Sequence, residues 1–135
     1  MFFLPLFPLI GATHNDVVHI DNAIKFYESL GFELLVLKKN MDGYHYAYLQ
    51  KGDCIIGLPQ CLSPELSPQR PSMGAIDHLA LACEDIEAAY QECIKAGCRV
   101  LSDGIVSNEI WAPKRCRCFM IEAPDGVRLE FQQIS

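Results

Sequence analysis

Two stretches of this chain share one rhythm: "GATHNDVVHIDNAIKFYESLGF", residues 11–32, and "IDHLALACEDIEAAYQECIKAGC", residues 76–98. In the first, Asp21 is placed to cap a helix, Ile24, Tyr27 and Leu30 recur at helical spacing, and Gly31 is placed to stop it. In the second, Asp85 takes the cap, Ile86, Ala89, Tyr90, Cys93 and Ile94 form the apolar stripe, and Gly97 is the stop. Nineteen residues before each glycine stand Ala12 in one copy and His78 in the other. One copy carries a group able to do chemistry, and the other does not.

Strand-like runs follow each helix. They are "FELLVLK", "GYHYAYLQ" and "DCIIGLP" after the first, and "CRVLSDGIV", "RCFMIEA" and "VRLEFQQ" after the second. Turn signals at Asp42-Gly43, Gly52-Asp53 and Pro124-Asp125-Gly126 separate them. Each half therefore spells βαβββ. The expected organisation is an apolar arm (1–9), a first module (10–58), a proline-rich connector (59–75) with no helix or central strand, and a second module (76–135).

Composition narrows the partner class. With 135 residues, half of them apolar, the chain is long enough to build one core without disulfides or metal. A net charge of −6 and the lack of a long basic run argue against nucleic acid and against an anionic membrane surface, leaving a small molecule as the expected partner. The opening "MFFLPLFPLI" contains two prolines and falls far short of the ~20 residues a membrane helix needs. It also lacks the basic flank and cleavage site of a signal peptide, so it reads as an arm packing on the core or on a partner subunit. The seven cysteines have no C-x-x-C pair and read as reduced thiols of a cytoplasmic protein, with Cys116 and Cys118 on one face of a strand.

The patterns "AIKFYESLGFELL", "IDHLALACEDIEAAYQECIKAGCRVLSDGI" and "CFMIEAPDGVRLEF" resemble the vicinal oxygen chelate superfamily over nearly the whole chain after the first nine residues. That superfamily holds glyoxalase I (lactoylglutathione lyase), methylmalonyl-CoA epimerase, extradiol dioxygenases and the bleomycin- and fosfomycin-resistance proteins. The resemblance implies an α+β fold in which two tandem βαβββ modules form a curved, cleft-bearing mixed sheet with a helix outside each module. A homodimer is the expected assembly. In metal-dependent members each module offers one ligand from its first strand and one carboxylate from its last. Here the second module keeps His78 and Glu130, a donor pair suited to Zn, Ni, Mn or Fe(II), with Glu130 also the candidate catalytic carboxylate. The first module has Ala12 and Gly57 at those places, and neither can ligate. His14 is the one nearby substitute; at two residues' distance it is displaced by ~6.6 Å along the strand, so a bulge or another register would be needed to bring it in.

The surrounding residues leave alternatives open. A type I turn at "APDG" with Gly126 as a left-handed bulge puts Cys118 and Met120 on the face of Glu130 and Arg128, whereas a two-residue turn puts Phe119 and Arg117 there. Trp111 with Lys114, Arg115 and Arg117 is a candidate contact for an anionic ligand. The tyrosines 44, 46 and 48 form one face of a strand, which makes Tyr46 a candidate ligand-stacking residue or part of a half-buried sheet. Two functions follow. One is a protein that binds a small anionic molecule in the cavity between the modules, with metal-dependent lyase or isomerase chemistry at a degenerate site; the other is a metal-free binding protein of the bleomycin-resistance kind that sequesters its ligand.

Overall fold

The computed structural model describes residues 9–14, 17, 19–63 and 76–135, with only the backbone of 9–14. The elements in chain order are β1 (Leu9–His14), α1 (Ile20–Ser29), β2 (Glu33–Met41), β3 (Tyr44–Lys51), β4 (Cys54–Cys61), β5 (Ile76–Ala82), α2 (Ile86–Lys95), β6 (Arg99–Val100), β7 (Val106–Asn108), β8 (Cys116–Glu122), a 3-10 turn (Pro124–Gly126) and β9 (Arg128–Ile134). They form two compact units, Gly11–Asp77 and His78–Ser135, with Leu9 and Ile10 grouped with the second. The architecture is α+β, built from two βαβββ modules. Residues 1–8 of the expected arm lie outside the described residues, as does most of the connector (64–75); Leu9 opens β1 and residues 59–61 belong to β4.

In the first module the strand order is β2-β3-β4-β1, antiparallel except that β1 runs parallel to β4. Asp42 and Gly43, both at positive φ (53° and 84°), close the β2–β3 hairpin with the twist such a turn requires. A bulge precedes it: Asn40 adopts φ 56° and its N–H donates to His45 Nδ1 at 3.0 Å, which gives His45 a structural task. One sheet face packs Ala47, Leu49 and Leu58 against Ile20 and Ile24 of α1. Leu30 falls at the helix C-cap and is exposed rather than continuing the stripe.

The second module repeats this plan, with β9 paired in parallel to β5 and antiparallel to β8. Its core joins Ile86, Ala89 and Cys93 of α2 to Phe119, Ile121 and Phe131 of the sheet. The Phe119 and Phe131 rings stack at 5.0 Å, and Tyr90 meets Phe119 edge-on at 5.1 Å. The run 98–106 is not one strand. After Val100 the ladder breaks, and Ser102 Oγ accepts the Met120 N–H (3.0 Å) that a strand carbonyl would otherwise take, while Gly104 turns at φ 64°.

The helix ends show what short-range reading can and cannot see. Gly31 and Gly97 adopt φ 95° and 76°, and the following N–H groups reach back to Tyr27 O and Cys93 O, as a glycine stop requires. Asp85 caps α2 by accepting the Ala88 N–H at 3.0 Å. Asp21 does not cap α1: His19 occupies the N-cap, and Asp21 lies in the first turn paired with Lys39 (3.5 Å). In both modules a glutamine of the last strand serves the first helical N–H instead, Gln60 Oε1 for Ile20 and Gln133 Oε1 for Ile86, each at 2.9 Å.

All seven cysteines are free. Burial pushes the Cys83 thiol up to about 11 and the Cys93 thiol up to about 12, so both stay protonated near neutrality, whereas Cys54 is exposed. Iodoacetamide at about pH 8 is expected to label Cys54 in the native protein and to reach Cys83 and Cys93 only after unfolding, as mass spectrometry would read. Asp85→Ala is expected to cost about 1 kcal/mol through the lost cap, and Phe119→Ala about 3–5 kcal/mol through the cavity it leaves, both measured by urea denaturation.

Candidate functional site

Alternation along the strands sorts the second module's residues onto two faces. Phe119, Ile121, Leu129 and Phe131 face α2. Their neighbours, including Cys118, Met120, Glu130 and Gln132, belong to the opposite face. The β8–β9 register sets Met120 opposite Glu130, Cys118 opposite Gln132 and Glu122 opposite Arg128. This is the first of the two registers the turn allowed, although the turn itself differs: Asp125 joins Gly126 at positive φ (64° and 80°). Phe119, a candidate ligand contact in the other register, is buried in the helix-side core.

On the helix-free face β5 lies beside β9, with Ala80 next to Glu130 and Ala82 next to Gln132. His78 Nε2 comes within 3.3 Å of Glu130 Oε2, and the two side chains keep 12% and 14% of their surface exposed. The other carboxylate oxygen, Oε1, accepts from Gln132 Nε2 at 2.9 Å. Both Glu130 oxygens thus have protein partners, and a sliver of each side chain still meets the outside. Beyond Gln132 stand Cys116 and Cys118, with Asn108 Nδ2 at 3.5 Å and 4.0 Å from their sulfurs. The Cys118 thiol leans on Cys116, which lowers Cys116; that contact, burial and the charge of Glu130 all raise Cys118.

Of the basic residues, Arg128 falls by register on this face, whereas Arg117 falls on the other. The Arg117 guanidinium pairs with Glu87 of α2 and, with Arg115 adding its charge, holds that carboxyl below its ordinary range. Arg115 also exchanges backbone hydrogen bonds with Ser135 (2.7 and 2.9 Å), and Trp111 is half-buried in the turn before it. Arg128 is half-buried opposite Glu122, whose carboxylate pairs with Arg99 at 3.2 Å. In the first module Tyr46 is half-buried and stacks on Tyr44 at 5.5 Å, opposite Pro59 and Lys38. An open cavity of about 310 Å³ in that module is lined by His19, Asp21, Lys39, His45 and Gln60 among others. Asp21, Lys39, His45 and Gln60 are all engaged in the structural contacts described above.

Register also decides which first-module residues correspond to the pair. Thr13 lies beside Gly57 in β1–β4 as Ala80 lies beside Glu130 in β5–β9. Gly57 therefore matches Glu130, and Gly11, rather than Ala12, matches His78. Counting back from the helix glycine misses by one because the stretch from Thr13 to Ile20 is one residue longer than that from Ala80 to Ile86. Neither glycine offers a donor atom. His14 closes β1, and its side chain lies outside the described residues. Among the described residues no three His, Cys, Asp or Glu side chains stand together as metal ligands, so the donors present do not fit a four-ligand centre. No described helix is long and apolar enough to cross a membrane.

Fold and site together define a two-module protein with a histidine–carboxylate pair on one sheet face. The profile of the Glyoxalase/Bleomycin resistance protein/Dioxygenase superfamily matches residues 17–131, and the chain belongs to that superfamily. It is 34% identical over 129 residues to the uncharacterized protein YwbC of Bacillus subtilis (strain 168), covering 92% of this chain and 96% of that one. Among solved structures it is similar to hypothetical protein BH1468 from Bacillus halodurans C-125 (TM-score 0.78, 26% identity, 96% and 95% of the two chains). It is also similar in fold to methylmalonyl-CoA epimerase from Mycobacterium tuberculosis (TM-score 0.73, 23% identity, 98% and 93%).

The Glu87–Arg117 pair yields a pH prediction. A carboxyl held low in the folded state stabilises above the ordinary carboxylate range and loses that contribution as pH falls and the group protonates. Arg117→Ala is expected to lower the urea midpoint at about pH 7, with the difference from wild type shrinking by about pH 3.

Proposed function

We propose that the protein binds a small carbonyl compound against the helix-free face of the second module and moves a proton at the carbon beside the carbonyl, as an isomerase or lyase does. The observation that carries this reading is the His78–Glu130 contact of 3.3 Å, almost enclosed yet still reachable from outside. An imidazole and a carboxylate in hydrogen-bond reach are a general acid–base pair, worth about 10²–10⁴ in rate when the reacting proton lies within reach. The likeness to methylmalonyl-CoA epimerase supplies a reaction class to test, since epimerisation removes and returns a proton beside a thioester carbonyl. Met120 and Arg128, assigned by register to the same face, are the proposed ligand contacts beside the pair.

A second reading is supported by Gly11 and Gly57. With half of the metal donors replaced by glycine, the chain fits a metal-free protein that holds its ligand without converting it.

The test is proton exchange in D₂O, followed by NMR, on methylmalonyl-CoA and on the hemithioacetal of methylglyoxal and glutathione. Exchange is expected on at least one of them and is expected to fall by about 10²-fold or more in His78→Ala and Glu130→Gln. Binding without exchange would support the sequestering protein, and exchange indifferent to both substitutions would overturn the proton-transfer reading. Metal content, measured with Zn, Ni, Mn and Fe(II) added, is expected to stay well below one ion per chain. A stoichiometric ion lost in His78→Ala would overturn the metal-free assignment.

A further inference from the structure

We infer that Gln132 is a positioning residue for Glu130, fixing the carboxylate that meets His78; the inference rests on the proton-transfer reading above. At 7% exposure Gln132 is the one buried polar residue among the described residues. An amide withdrawn from water is unfavourable unless it is hydrogen-bonded, and an apolar side chain would fill the same place without that cost. Its Nε2 donates to Glu130 Oε1 at 2.9 Å, and the same side chain also hydrogen-bonds the Cys116 thiol.

The consequence for Glu130 is geometric. An ionised carboxylate only accepts hydrogen bonds, so Gln132 must turn its nitrogen toward Oε1, and His78 must present a proton on Nε2 to Oε2. Rotation of the carboxylate about its last torsion would break both bonds together. Gln132 itself is not free to follow, because its backbone lies between β5 and β8, opposite Cys118 and beside Ala82, and its carbonyl takes the Cys83 N–H at 2.9 Å. A strand paired on both sides is a rigid mount for such a group. Gln132 thereby selects one oxygen of Glu130 and one tautomer of His78 without touching the ligand.

Two variants of the full chain separate positioning from packing. Gln132→Met keeps the volume and removes the donor; Gln132→Glu keeps the shape and puts a second acceptor beside Glu130. The readouts are the ¹⁵N ring shifts of His78 at about pH 8, which report the tautomer, and the exchange kinetics of the reactive thioester or hemithioacetal. In the wild type the ring is expected to be protonated on Nε2. In both variants, with far-ultraviolet circular dichroism unchanged, that preference is expected to be lost and kcat to fall by roughly 10- to 100-fold with KM little changed. If Gln132→Met does not fold, Gln132→Glu alone decides. Folded variants with an unchanged His78 tautomer and unchanged kcat would show Gln132 to be packing and overturn the inference. Turnover that survives Glu130→Gln would instead overturn the proton-transfer reading, and the tautomer measurement would still decide the place of Gln132.

Discussion

The structure of the second module depends on the parallel pairing of its first strand with its last. Residues 78 and 130 are far apart in the chain, and only the β5–β9 ladder brings an imidazole and a carboxylate to 3.3 Å. Strand alternation then divides the work. Phe131 and Gln133 turn to the helix, one stacking in the core and the other accepting the first helical N–H, while Glu130 and Gln132 occupy the opposite face. A single strand thus anchors the helix and carries the candidate site, so its register cannot slip by one residue without exchanging the two roles.

The first module keeps the architecture without the histidine–carboxylate pair. Gln60 repeats Gln133, and Leu58 repeats the burial of Phe131, yet Gly57 stands where Glu130 would be and Gly11 where His78 would be. The resemblance between the halves is a resemblance of packing. What distinguishes them lies on the face that packing does not determine.

Much of the fold was legible because its signals are local. Apolar spacing marked both helices, Gly31 and Gly97 marked their ends, and Asp85 marked a cap. Asp21 was misread as a cap because the group serving α1 comes from Gln60, across the module, and no window of neighbouring residues contains it. The candidate site was legible only in part. His78 and Glu130 followed from the family resemblance, and the Cys116/Cys118 face followed from period two. The choice between Phe119 and Cys118 depended on one turn, in which Asp125 adopts a left-handed conformation as well as Gly126. Arg117, read as part of a basic patch, is carried to the helix side by alternation and meets Glu87. Gln132 gave no signal in the sequence, since a glutamine in a strand is unremarkable until its burial and its partner are known.

The paired glutamines also bear on how each module comes together. The amides of Ile20 and Ile86 have acceptors 40 and 47 residues further along the chain, so the first N–H of each helix gains its protein partner only when the last strand of its module has docked. Each helix N-terminus is thereby tied to the strand that closes its module. The rates at which those two backbone amides exchange with solvent report on the contact between helix end and last strand, one for each half of the chain.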